Sequence, residues 1–178
     1  MTESAYCFYK EKIMNIFLPY ENSLTASISN LDDLRLNKQC LETYQLLSNA
    51  IKEINGEEIK GYKNHPIYVH YKQYWQFLYT YGTYCCFEYK YRFGKEHKLL
   101  FEFENLVYGL PKRDYVEYTP FYMEGSKGQP NYIRTTENVS KLYQQKLCKK
   151  WDSDKAKGRP PKWTNREIPP FYVRYLDQ

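Results

Sequence analysis

The sequence predicts an all-α fold, a single compact helical domain with a long central helix and an extended C-terminal strap. Three observations carry this expectation. Apolar residues recur at three- and four-residue spacing along most of the chain, and no stretch alternates apolar and polar residues as a half-buried strand does. At 178 residues the chain can fill one core, whereas two would each be marginal. Residues 1–13 show no clear period and are expected to form an N-terminal extension to a domain over 14–178.

From Asn15 to Tyr20, Asn-Ile-Phe-Leu-Pro-Tyr reads as a short buried strand or extended entry stopped by proline. Asn30-Leu31-Asp32-Asp33 supplies N-cap chemistry for a helix reaching about Asn55 and stopped by Gly56. Leu34, Leu41, Tyr44, Leu47 and Ile51 keep helical spacing and are expected to face the core. Beside them Arg35, Lys38, Glu42, Gln45 and Asn49 form a polar stripe along one side of the same helix. Pro66 suits the first turn of the next helix, in which Ile67, Tyr71, Tyr74, Leu78, Tyr81 and Cys85 repeat and which Gly94 ends. At 1.5 Å per residue it would span roughly 40 Å, enough to cross the domain. Leu99 to Val107 suggests a further helix closed by Gly109 and Pro111, followed by a loop opened by Thr119-Pro120-Phe121-Tyr122. Thr135 and Thr136 are placed to cap a last long helix whose apolar face includes Leu142, Tyr143, Leu147 and Trp151. Four prolines between Ala156 and Pro170 then favour an extended strap.

Composition excludes several classes. With 42% hydrophobic and 26% charged residues, the chain is neither disordered nor collagenous, and no window approaches the ~18 apolar residues of a spanning helix. No membrane partner is expected. The first thirteen residues, with Glu3, Lys10, Glu11 and Lys12, do not read as a signal peptide, so a cytoplasmic location is expected, in the host cell if the source is a phage or virus. Cys7, Cys40, Cys85, Cys86 and Cys148 are an odd number without CxxC spacing and read as reduced structural thiols. Neither HExxH nor an EF-hand loop is present, and the eight glycines never form GxxxxGK or GxGxxG. No metal, cofactor or nucleotide-triphosphate site is expected.

Charge is concentrated. Arg134 to Arg166 holds ten Lys or Arg against three Asp or Glu, a local +7 in a chain of net charge +5. A face of that kind suits a polyanion such as nucleic acid, although a solvated lysine-rich helix would read the same. Lys149, Lys150, Trp151, Trp163 and Arg166 interleave aromatic and basic side chains there, as a stacking-plus-phosphate surface would, while Trp163 is equally suited to pinning the strap. The 21 tyrosines serve wet stacking surfaces and cores alike and decide nothing alone.

Several segments together resemble a known family: Asn15-Ile16-Phe17, Asp33 through Lys38, Leu41 through Leu47, Lys63-Asn64-His65-Pro66, Tyr89 through Lys98, Thr119-Pro120-Phe121 and Trp163 through Pro169. In this order they are similar to a set in phage and bacterial proteins grouped with the pyrimidine-dimer DNA glycosylases of the endonuclease V type. The resemblance implies a small helical protein that binds duplex DNA, flips a nucleotide near a photodimer and cuts its glycosidic bond. It also implies a terminal amine as nucleophile with a glutamate as partner. Here thirteen residues precede Met14; translation begun at Met14 would give that amine to Met14 or Asn15.

The residues themselves permit such chemistry. A bifunctional glycosylase needs a partly neutral amine to attack the sugar and a carboxylate to move protons. Lys38 and Glu42, one turn apart, supply both as candidate catalytic residues, and an ordinary i,i+4 ion pair is the bland alternative. Arg35 is a candidate for gripping phosphate, as are Asn64 and His65 at the mouth of the proline-started helix, where local capping would explain them equally. Gln45, Lys149, Lys150, Trp163 and Arg166 complete the candidate nucleic-acid contacts. The expected function is a base-excision glycosylase with abasic-site lyase activity. Its rivals are a non-enzymatic nucleic-acid-binding or virion-associated protein on the same scaffold, and a base-modifying enzyme.

Overall fold

The computed structural model describes residues 14–20, 23–110 and 137–177. The N-terminal extension, the loop opened at Thr119, and Thr135 and Thr136 lie outside the described residues. Within them are seven α-helices and one 3-10 turn, with no strand: α1 (Leu24–Ser29), α2 (Asp33–Ile54), α3 (Pro66–Tyr71), the turn Lys72–Tyr74, α4 (Trp75–Phe93), α5 (Leu99–Val107), α6 (Glu137–Ala156) and α7 (Pro170–Leu176). The all-α expectation holds. No helix among the described residues is long and apolar enough to cross a membrane.

The entry segment is extended and buried but pairs with no strand. Its backbone is satisfied by side chains instead. The Phe17 amide donates to Gln39 Oε1 at 3.1 Å, Gln39 Nε2 donates to the Asn15 carbonyl at 2.6 Å, and Gln144 Nε2 donates to the Pro19 carbonyl at 2.8 Å. The Tyr81 hydroxyl lies 3.0 Å from the Phe17 carbonyl and 2.9 Å from Gln39 Oε1. Side chains thus take the place of a neighbouring strand for the Asn15, Phe17 and Pro19 backbone groups.

Helix α2 is buried along two adjacent stripes. Leu36, Cys40, Thr43, Leu47 and Ala50 form one at steps of 4, 3, 4 and 3, and Arg35, Gln39, Glu42, Leu46 and Asn49 form the other. Leu34 and Leu41, expected in the core, are instead 50% and 47% exposed. The polar stripe displaces them because α2 packs on α4 and α5 on one side while the entry segment and α6 cover the other. Asp32 occupies the N-cap position without capping; its carboxylate accepts from Trp151 Nε1 at 2.7 Å and Arg35 Nη1 at 3.3 Å.

The single long helix expected from Pro66 to Phe93 is interrupted at Lys72–Tyr74, where Tyr74 leaves helical geometry (φ −113°, ψ 43°). The break carries no glycine or proline. It lets the Tyr71 and Phe77 rings stack at 5.6 Å and 16°, although residues six apart on a straight α-helix point about 120° away from each other. Aromatic packing thus outweighs the local helical preference. Downstream, Gly94 ends α4 in the left-handed conformation (φ 66°), as expected.

The strap after α6 is irregular, with turns at 157–158 and 164–166 rather than one extended run, and is tied down around Trp163. The Asp33 amide donates to the Lys162 carbonyl at 2.8 Å, and Thr164 donates to the Asp33 carboxylate from its amide (3.1 Å) and hydroxyl (2.7 Å). Trp163 packs edge-on against Trp151 at 5.0 Å and donates to the Asn30 carbonyl at 3.2 Å. Beyond the strap, Pro170 starts α7, a short helix that the apolar spacing does not announce, and Phe171 stacks on Trp151 at 5.7 Å.

Candidate active site

The polar stripe of α2 forms one wall of a cleft of about 510 Å³. Leu34, Arg35, Lys38, Gln39 and Glu42 line it from α2, Lys150, Ser153 and Asp154 from α6, Lys157 and Arg159 from the start of the strap, and Phe17 from the entry segment. On both helices the lining residues follow steps of 3 and 1, the signature of one helical face. Arg35, Lys38, Lys150, Lys157 and Arg159 outnumber the carboxylates Glu42 and Asp154, so the cleft favours an anion.

Glu42 is 8% exposed. Gln39 Nε2 donates to its Oε2 at 3.1 Å, Lys38 Nζ lies 3.5 Å from its Oε1, and the Asn15 backbone N–H is directed at the carboxylate. Burial raises its pKa above the ordinary glutamate value despite the opposing pull of Lys38, the Asn15 N–H and Lys150. Lys150 shifts the other way. Desolvation lowers its pKa, and Lys38 and Arg35 lower it further, against Glu42 and Asp154. The cleft thus places a carboxyl that holds its proton more tightly than usual close to an amine that holds its proton less tightly.

Arg35 is fixed on two sides, by Asp32 at 3.3 Å and by a close Nη2 contact with Asp154 Oδ2. Arg159 reaches the same Asp154 at 3.3 Å while its side chain remains 62% exposed. Those two arginines and one aspartate set the far rim of the cleft.

Of the candidates named from sequence, Arg35, Lys38, Glu42 and Lys150 come together here. Gln45 is half-buried and outside the lining, and Lys149 points outward from α6. Asn64 is exposed, and His65 caps α3 by accepting from the Ile67 amide at 3.3 Å. Trp163 is committed to its Trp151 and Asn30 contacts. Arg166 grips Glu88 through Nε and Nη2 at 2.8 and 2.7 Å and lies 4.0 Å over the Tyr91 ring, beside a separate apolar pocket of about 260 Å³. Sequence reasoning missed Gln39, Asp154, Lys157 and Arg159. Gln39 could have been found, since it falls between Arg35 and Glu42 on the same stripe; the others had no signal beyond lying in the basic segment.

One cluster has no sequence signature at all. Cys40, Cys86 and His97 bring potential ligand atoms within 4.8 Å of one another. Both His97 nitrogens are engaged, Nε2 with Asn37 Oδ1 at 3.1 Å and Nδ1 with the Leu99 amide at 3.2 Å, and hydrogen bonding among the thiols together with burial pushes the Cys40 and Cys86 pKa values well up. Cys40 and Cys86 are free and buried, in keeping with the expected reading of reduced structural thiols.

Residues 14–101 match the family model described as pyrimidine dimer DNA glycosylase. No curated protein and no solved structure matches the chain. The match begins at the entry segment that closes over Glu42, includes the whole α2 wall of the cleft and α4 behind it, and ends within the first turn of α5. Over residues 14–101 the chain is similar to the pyrimidine dimer DNA glycosylase family.

Proposed function

We propose that the protein is a DNA base-excision enzyme, cutting the glycosidic bond of damaged pyrimidines in duplex DNA and then opening the abasic sugar by lyase chemistry. The observation that carries this reading is Glu42, buried in a cation-lined cleft with its proton affinity raised. A glycosylase needs a proton donor for the departing base, and a carboxyl whose pKa burial raises above its ordinary value is suited to that role. Glu42 is the acid-base residue. Lys38, half-exposed at 3.5 Å, balances its charge once the proton has left.

The surrounding cations fit the substrate. Arg35, held rigid by Asp32 and Asp154, presents a fixed guanidinium to a backbone phosphate, and Lys157 and Arg159 extend the positive rim to flanking phosphates. The cleft volume suits an extruded nucleotide rather than an intact duplex, so the base leaves the stack to react. Asn15 supports the same reading. In a chain begun at Met14 with the methionine removed, its backbone nitrogen would become a terminal amine directed at Glu42.

Release of a base or strand break from an ultraviolet-irradiated duplex, with an undamaged duplex as control, tests the proposal. The expected result is cutting by the unsubstituted protein and at least about a hundredfold loss in Glu42→Gln with DNA affinity retained. Binding to both duplexes without cutting either would overturn it in favour of a nucleic-acid-binding protein.

A further inference from the structure

We propose that Gln39 is a positioning residue for base excision, holding the Glu42 carboxyl and the backbone of residue 15 in one register. The assignment rests on the base-excision reading above and deepens it, because it concerns how the site is held together rather than which group attacks the sugar.

The entry segment, α4 and Glu42 all converge on the Gln39 amide. Its Oε1 accepts from the Phe17 N–H at 3.1 Å and lies 2.9 Å from the Tyr81 hydroxyl, while its Nε2 donates to the Asn15 carbonyl at 2.6 Å and to Glu42 Oε2 at 3.1 Å. A side-chain amide has two lone pairs on its oxygen and two N–H groups on its nitrogen, so every valence is committed. Although it lies in the cleft wall, Gln39 is 1% exposed and keeps no polar group for a substrate.

Its partners also fix which way the amide faces. The Phe17 N–H can only donate and the Asn15 carbonyl can only accept, so turning the amide over would set donor against donor and acceptor against acceptor. The second N–H is therefore aimed at the Glu42 carboxyl. Tyr81 closes the arrangement from α4, where its buried hydroxyl lies between Gln39 Oε1 and the Phe17 carbonyl at 3.0 Å.

That arrangement bears on the chemistry of Glu42 in two ways. One N–H of a rigid planar group holds the carboxyl, and the other holds the carbonyl of Asn15, whose own backbone N–H is directed at the same carboxyl. The separation between Glu42 and the start of the entry segment is thus set through Gln39. Burial disfavours the ionised Glu42, and an N–H donated to Oε2 opposes burial, as do Lys38 from α2 and Lys150 from α6. Gln39 accordingly governs where the carboxyl sits and how readily it gives up its proton.

Base release from an ultraviolet-irradiated duplex, followed against pH, tests the assignment in Gln39→Met, which keeps the length of the side chain and removes its hydrogen bonds. The variant should lose at least about tenfold in kcat with KM within about twofold of the parent. The limb on which base release falls as pH rises should move to higher pH, since the ionised Glu42 loses a donor. Placed in Glu42→Gln, the same substitution should cost far less than in the parent, because a residue acting through another is not additive with it. Tyr81→Phe, which touches only the far side of the amide, should leave the limb where it is. NMR of the unsubstituted chain reads the same contact and does not depend on any variant folding: one Gln39 side-chain N–H should shift with the Glu42 titration. A fixed limb with multiplicative losses, or a Gln39 amide that does not follow Glu42, would overturn the assignment and leave base excision standing. No base release from the unsubstituted chain would overturn both.

Discussion

Trp151 Nε1 and Asp32 Oδ1 lie 2.7 Å apart, joining α6 to the start of α2 across 119 residues of sequence. Both side chains are buried, and Asp32 shares the same carboxylate with Arg35. The bond therefore fixes the separation of the two cleft walls as well as the fold. Trp151→Phe removes a donor to a buried charge and should cost about 2 kcal/mol, read as a lower denaturant midpoint with unchanged m. Because this bond joins the two walls of the cleft, loss of activity should exceed what the stability change explains. An unchanged midpoint would contradict the role given to this bond.

Glu42 yields a prediction with a definite sign in pH. Burial raises its folded pKa above the ordinary value, so any stability it contributes is present below that ordinary value and is lost as pH rises through the folded pKa. Above that point an ionised carboxylate is held where it is disfavoured. Glu42→Gln should be as stable as the unsubstituted protein near pH 4 and more stable near pH 8, by up to about 1 kcal/mol or 2–4 °C in Tm. Melting curves at the two pH values would check this; a variant less stable at pH 8 than at pH 4, relative to the parent, would count against it.

Glu88 has the opposite sign. Burial pushes its pKa up, but hydrogen bonds from Arg166 and Arg92 outweigh burial and hold it below the ordinary value. Its contribution to stability is present above that ordinary value and is lost as pH falls through the folded pKa. Arg166→Ala leaves Glu88 with Arg92 at 2.8 Å and should cost about 2 kcal/mol at pH 7, less than the loss of a lone partner would, and little at pH 3. An equal loss at both pH values would show that the bond to Glu88 is not the source.

Salt dependence separates the cations. Lys157→Ala with Arg159→Ala should weaken DNA binding for all sequences and lower the slope of log affinity against log salt by about 1 for each phosphate that is no longer neutralised. Arg166→Ala should leave the slope unchanged, since its guanidinium is already engaged with Glu88. Affinities measured between 50 and 200 mM salt would make the comparison.

Gly82 tests the core. A Cβ there would collide with the Phe103 ring, which packs across α4 at that point. Alanine gains about 1 kcal/mol in helix propensity, but overpacking against a fully buried ring costs more, and Gly82→Ala should lose a net ~1–2 kcal/mol. Chemical denaturation reads the difference, and a stabilised variant would mean that Phe103 can move aside.

Local properties of the chain, the apolar period of α2, α4, α5 and α6 and the stops at Gly56 and Gly94, were enough to announce those four helices in order, but not the short helices α1 and α7. The sequence by itself also determined that Arg35, Lys38 and Glu42 share one face of α2, since helical spacing alone fixes that. Tertiary structure decided which way that face turns. Leu34 and Leu41 look like core residues until α6 and the entry segment cover the neighbouring stripe and bury Glu42 in their place. It also decided the break at Tyr74, where ring stacking between residues six apart has no counterpart in local propensity. Above all it decided what Lys150 is. In sequence it is one of ten basic residues in a cationic segment; folding desolvates it and sets it against Arg35 and Lys38, more than a hundred residues away, because burial and neighbouring charge, and not residue type, set the proton affinity of an amine.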